Sequence, residues 1–266
     1  MQWVRRGSFA ILLLFLMLFP FGPLFPWSPV WPGYAVEKLQ RADVLYEEGT
    51  VLDPAYRNVD RYIAEAEQFH GLHVDKRLTV VDCRSWDDLR RFMPYNYSRA
   101  LGGVTVATGT VIYISPKLRE KNLDAGEYLR HEISHATLNQ NQAVWNALRM
   151  GRQAWFTEGV AVLFGRQRAF VTAKEFTDRA KKDDLQPVFS GAPTPDMRFA
   201  YQAWRYFWDY ELRMAGRERF YRFQSGCLKD PDGCRKSFAS VYGMQVADAV
   251  TRFQEDVRAG RFQAID

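Results

Sequence analysis

Two histidines four residues apart, in the run His131-Glu132-Ile133-Ser134-His135, constrain this chain more than any other feature. On an α-helix, residues at i and i+4 lie on one face, about one turn apart. Both imidazoles can then reach a single Zn²⁺ at about 2.0–2.1 Å. Glu132 is rotated by about 100° from His131, so it can stand beside such an ion without ligating it. A base for the metal's water is needed there. The segment reads as a helix: Asp124 and Glu127 are spaced as a capping box, and the helix should run to about Asn139. Ile133, Ala136 and Leu138 argue for a packed element rather than a surface helix carrying two solvated histidines.

A catalytic zinc needs a third protein ligand. The remaining histidines, His70 and His73, lie beside Gly71 at an expected helix end and read as solvated surface. The metzincin pattern needs Gly and His where this chain has Leu138 and Asn141, which excludes that class. A carboxylate from a later helix should complete the set. Glu158, 23 residues after His135 in Trp155-Phe156-Thr157-Glu158-Gly159-Val160-Ala161, is the candidate. Gly159 and Ala161 are small and should let its helix approach that of His131.

The pattern around these motifs is that of one mixed domain. Asp53-Pro54 starts a helix that Gly71 ends. Residues 78–81 read as a strand, and Ser85 opens a short helix to about Met93. Residues 103–106 and 111–115 read as a strand pair turning near Gly109. Beyond Gln153 helices are expected at about 154–165, 172–182, 196–214, 217–225, 234–242 and 245–258. A small mixed sheet followed by a mainly helical half is α+β. Aromatics make up 15% of the chain, so the core should be rich in bulky rings.

The N-terminus reads as an address. Arg5 and Arg6 precede an apolar run at residues 9–19, and no acid occurs before Glu37. Eleven residues make a helix of about 17 Å, short of a roughly 30 Å hydrocarbon core. Residues 1–35 are therefore a signal peptide, with Gly33-Tyr34-Ala35 the best cleavage site, or an uncleaved membrane anchor using residues 8–31, with Trp27 and Trp31 at the interface. The domain proper is expected at residues 36–266, exported to the periplasm or cell envelope. Past Arg6 the chain carries 34 basic and 31 acidic side chains, or +3, too mild a balance for nucleic acid. Cys227 and Cys234 flank a turn-rich loop, and a disulfide there suits an exported chain. Cys83 should be a buried thiol at a strand end. Trp204 and Trp208, at i and i+4, read as core packing.

The His131–His135 motif followed by Trp155-Phe156-Thr157-Glu158-Gly159-Val160-Ala161 resembles the gluzincin superfamily of zinc metallopeptidases, most closely the small bacterial peptidase-MA-like proteins. The resemblance covers about residues 75–258. It implies Zn²⁺ held by His131, His135 and Glu158. It also implies a tyrosine or histidine that hydrogen-bonds the tetrahedral oxyanion. Tyr201 fits that role because it opens the helix after the Glu158 segment, with Tyr206 and Tyr210 as competitors. The family's edge strand binds an extended peptide, which here would be residues 103–108 or 111–115.

The expected function is a zinc-dependent metallopeptidase acting on peptide or protein substrates, with Glu132 as general base for a zinc-activated water. The alternative is a zinc-binding but non-catalytic envelope module that recognises a peptide or protein. Retention of Glu132 disfavours it, because a structural zinc site needs no such base. An integral-membrane protease is disfavoured because no other segment could span a bilayer.

Overall fold

The computed structural model describes residues 17–94, 97–168, 172–192, 194 and 196–265. Most of the apolar run at residues 9–19 lies outside them. Among the described residues no helix is long and apolar enough to cross a membrane.

The fold is α+β, with a small mixed sheet and a helix-rich C-terminal half. The five strands are β1 (Tyr34–Lys38), β2 (Ala42–Glu47), β3 (Leu78–Asp82), β4 (Gly103–Thr105) and β5 (Val111–Ile114). Their spatial order is β1-β2-β3-β5-β4, which puts β4 at an edge. β2, β3 and β5 run parallel, while β1 and β4 are antiparallel to their neighbours. Strand alternation sorts the side chains between two cores. Val44, Val80, Ile112 and Ile114 face α1 (Val59–His70) and α4 (Ala125–Gln140). Leu45, Val81, Val111 and Tyr113 face α2 (Trp86–Phe92) and the N-terminal segment.

That second core takes in residues before Val36. Phe25 is 1% exposed and stacks on Phe92 at 4.2 Å between ring centroids. Trp31 Nε1 donates to the Phe25 carbonyl, and Tyr34 opens β1 opposite Glu47. The folded unit therefore starts before Val36, and cleavage after Ala35 would strip Phe25 and Tyr34 from a packed layer. β1 and β2 are both missed by the sequence reading, being short strands of mixed polarity.

Local signals place the helices well. The Asp53 side chain accepts from Ala55 N at the turn leading into α1, and Gly71 closes α1 with φ 63°. Ser85 caps α2 through the Asp88 amide. Asp124 Oδ1 accepts from Gly126 N and Glu127 N at the start of α4. The capping box there is only half formed. The Glu127 carboxylate turns away to hold the Arg168 amide and guanidinium instead.

After α3 (Lys117–Glu120) and α4 come α5 (Val144–Met150), which the sequence reading missed, and α6 (Ala154–Gly165). Then follow α7 (Ala173–Lys182), α8 (Gln186–Phe189), α9 (Met197–Lys229), α10 (Cys234–Tyr242) and α11 (Val246–Arg258). The helices expected at 196–214 and 217–225 abut at Gly216, whose φ of 80° breaks the regular path. Their core is a cluster of rings, with Trp208, Phe156, Phe207, Phe223, Phe238 and Phe253 buried together. Cys227 and Cys234 form the expected disulfide, with Cα atoms 4.4 Å apart. Closing so short a loop stabilises by roughly 2.5 kcal/mol in the chain-entropy view. Cys83 is a buried free thiol.

Candidate metal centre

The three expected ligands converge. His131 and His135 share one face of α4, and their Nε2 atoms stand 3.1 Å apart. Glu158 comes from the first half of α6, with Oε2 3.3 Å from His131 Nε2 and Oε1 3.5 Å from His135 Nε2. Donors at about 2.05 Å around a tetrahedral ion are about 3.3 Å apart, so these spacings fit one zinc-sized ion. All three donor atoms lie within 4.8 Å of one another.

Glycines set the approach of α6, but not as the sequence suggested. Gly165 is the residue against α4: a Cβ there would come 2.9 Å from the Glu127 carbonyl and 3.3 Å from His131 Cβ. Gly159 faces the other way. A Cβ on it would stand 2.7 Å from Trp208 Cδ1 and 3.0 Å from the Trp204 carbonyl. Glu158 is thus carried by a helix packed closely on both sides, at one end by α4 and nearer the ligand by α9. Trp208 Nε1 adds a 2.8 Å hydrogen bond to the Trp155 carbonyl, tying α9 to the start of α6.

The electrostatics of the three are strongly coupled. Burial by itself would raise the Glu158 carboxyl, but His135 and His131 outweigh it and hold it far below the usual carboxylate range. Burial opposes charge on His135, and Glu158 overrides it, pushing the imidazole up to about 9. Without an ion, a proton on His135 balances the Glu158 charge, and a metal ion bound here would take that proton's place. Zinc suits two nitrogens and one carboxylate with an open fourth position.

Glu132 is buried beside this set and turned toward the sheet edge. The Thr105 hydroxyl on β4 lies 2.8 Å from Glu132 Oε2 and 2.9 Å from its main-chain oxygen, donating to this residue. Gly103 leaves room for it: a Cβ there would come 2.7 Å from Glu132 Oε1. Burial pushes the Glu132 carboxyl above its usual value, against the pull of His131, His135 and Thr105.

A cleft of about 490 Å³ opens over these residues. Residues 100–105 form one wall, and Thr157, Tyr128, Tyr201 and Lys117 also line it. Of the competing tyrosines, Tyr201 is the one in the cleft. The charge on Glu158, then burial, raise its hydroxyl pKa, with Glu132 and Tyr128 adding to the effect. Tyr206 is buried against Phe176 in the C-terminal core, and Tyr210 donates to Asp256 at 2.6 Å. Trp204 and Trp208 are core residues, as expected.

Two residues escape the sequence reading. Tyr128 lies three residues before His131, a helical spacing that could have flagged it. His70 is not solvated surface; it is fully buried and bonded to Gln224 Oε1 at 2.8 Å and Ser134 Oγ at 2.9 Å. No local signal marks it, because both partners come from distant segments. His73 is exposed near Glu67, as expected.

No protein-family model matches the chain, and no curated protein matches it.

Proposed function

We propose that the chain is an exported zinc-dependent metallopeptidase of gluzincin type. The observation that carries the reading is the convergence of His131, His135 and Glu158 at tetrahedral spacing with Glu132 beside them but outside the ligand set. His131, His135 and Glu158 would hold the zinc ion, which would supply Lewis-acid polarisation and acidify the attacking water. Glu132 takes a proton from the attacking water and returns it to the leaving amine nitrogen. Tyr201 donates a hydrogen bond from its hydroxyl to the oxygen that gains charge as the carbonyl becomes tetrahedral.

The edge position of β4 supports a peptide as substrate. Its partner within the sheet is β5, and it borders the cleft on the way to Glu132. An extended peptide can pair with such an edge through its main chain. The Cys227–Cys234 disulfide supports an oxidising compartment, hence export to the periplasm or envelope. The packing of Phe25, Trp31 and Tyr34 on the sheet favours an N-terminal segment retained as an anchor over cleavage after Ala35.

The test is zinc analysis of the purified protein together with digestion of an unbiased peptide library, using Glu132→Gln as control. One zinc per chain and cleavage by the wild type alone support the reading. Zinc with equal cleavage by both proteins overturns the mechanism. Zinc with peptide capture and no cleavage by the wild type favours the non-catalytic module.

A further inference from the structure

We infer that the Lys117 end of the cleft selects a carboxylate on the bound peptide, either an acidic side chain or a free C-terminus, a few residues from the bond that is cut. This rests on the peptidase reading.

Three observations carry the inference. First, Lys117 lines the same cleft as the metal ligands. Its Nζ donates to the Ala100 carbonyl, which fixes the ammonium against the wall that leads into β4. Second, that wall is continuous. The Ser115 hydroxyl donates to the Leu101 carbonyl at 2.8 Å, and the Ser115 amide donates to the Gly102 carbonyl at 2.9 Å. Gly103 then pairs opposite Ile114 and abuts Glu132. From Ala100 to Gly103 is at most about 10 Å of extended chain. A peptide laid along this wall, with its reacting carbonyl by Glu132, therefore passes Lys117 about two to three residues away.

Third, the charge at this end is positive. The charged groups acting on Lys117 are Arg198, in the first turn of α9, and Lys121, both cations. Arg198 also acts on Glu175 and Asp196, whereas among the described residues the charged groups acting on Lys117 are cations. Burial, then these cations, lower the Lys117 pKa, so its ammonium would be relieved by an anion entering the cleft. A peptide carboxylate drawn to the Lys117 end would set the peptide's register on this wall.

The test uses the full chain carrying Glu132→Gln and loaded with zinc, so that binding is read without turnover. Fluorescent peptides are compared in matched pairs, Glu against Gln at each position and free C-terminus against C-terminal amide. One carboxylate position should bind about tenfold tighter than its neutral partner, with other positions indifferent. A preference in the Glu/Gln pairs identifies a side chain as the source, and one in the acid/amide pair identifies the C-terminus. Adding Lys117→Glu should abolish or reverse the preference, while Lys117→Arg should retain it, each with zinc content and helical signal unchanged. Peptides that bind without any charge preference overturn the inference and leave the peptidase reading standing. A preference that survives Lys117→Glu also overturns it. Failure of every peptide to bind, with no cleavage by the wild type, overturns both.

Discussion

His70 and Ser134 are joined by a 2.9 Å hydrogen bond that reaches from α1 into the middle of the metal-ligand motif. Gln224 Nε2 donates to the His70 carbonyl, so its Oε1 faces His70 Nδ1 and accepts from it. That leaves His70 Nε2 facing the Ser134 hydroxyl, from which a neutral ring accepts. Burial pushes the His70 pKa down to about 4, from 6.5 for an unperturbed histidine. Between those values the folded state binds fewer protons than the unfolded state. The contribution is therefore complete above the unfolded value and is lost as pH falls from about 6.5 to about 4, amounting to roughly 3 kcal/mol. His70→Asn should be destabilised at pH 7 by about 1–3 kcal/mol, and the gap to wild type should shrink toward pH 4. Urea unfolding of both proteins at several pH values checks this; a gap constant with pH would contradict it.

Removal of metal should lower the melting temperature of the wild type. Zinc that binds only the folded state stabilises by about 4 kcal/mol at a free concentration a thousandfold above its Kd. Chelation should therefore shift the wild type strongly. Glu158→Gln and His131→Ala, with one ligand gone, should hold less zinc and respond little. Elemental analysis and calorimetry with and without chelator give the answer.

Glu132 holds no position in the ligand triangle, so Glu132→Gln should retain one zinc per chain. Loss of the base should slow peptide cleavage by about 10²–10⁴-fold. Zinc content and turnover measured on the same preparation separate the two effects.

Tyr201→Phe removes the cleft hydroxyl nearest in influence to Glu158. An oxyanion donor is worth about 10²–10³ in kcat, so kcat should fall by that order with KM little changed. Tyr210→Phe breaks the bond to Asp256 far from the ligands and should cost about 1 kcal/mol of stability with kcat retained. Equal kinetic loss in the two variants would remove Tyr201 from the mechanism.

Gly159→Ala places a methyl group against Trp204 and Trp208, including the Trp204 main chain. Overpacking of that kind costs about 1–3 kcal/mol. Because Glu158 is the adjacent residue, zinc affinity should weaken as well. Gly151→Ala, where a Cβ meets nothing within 4 Å and the backbone is helical, is the control: it should leave zinc affinity unchanged and should not lower stability.

The sequence determined what depends on near neighbours. The i, i+4 spacing of His131 and His135 places both imidazoles on one helix face, whatever the rest of the chain does. Asp53, Gly71, Ser85 and Asp124 mark helix ends through contacts within a few residues, and the disulfide closes a loop of eight residues. The α+β layout, the ligand candidates and Tyr201 were legible for that reason or through the resemblance their motifs carry. Tertiary structure decided whatever depends on segments far apart. His70 reads as an exposed residue at a helix end until Ser134, 64 residues away, and Gln224, 154 residues away, enclose it. Gly159 and Gly165 are alike in sequence, and only the crossing of α6 assigns one to α9 and the other to α4. β1 and β2 lack strong local periodicity and become strands because β3 supplies hydrogen-bond partners along β2 and β2 supplies them to β1. Phe25 and Tyr34 enter the fold because Phe92 and the far face of the sheet bury them. Burial and long-range hydrogen bonding depend on how the whole chain packs, so no window of sequence contains them.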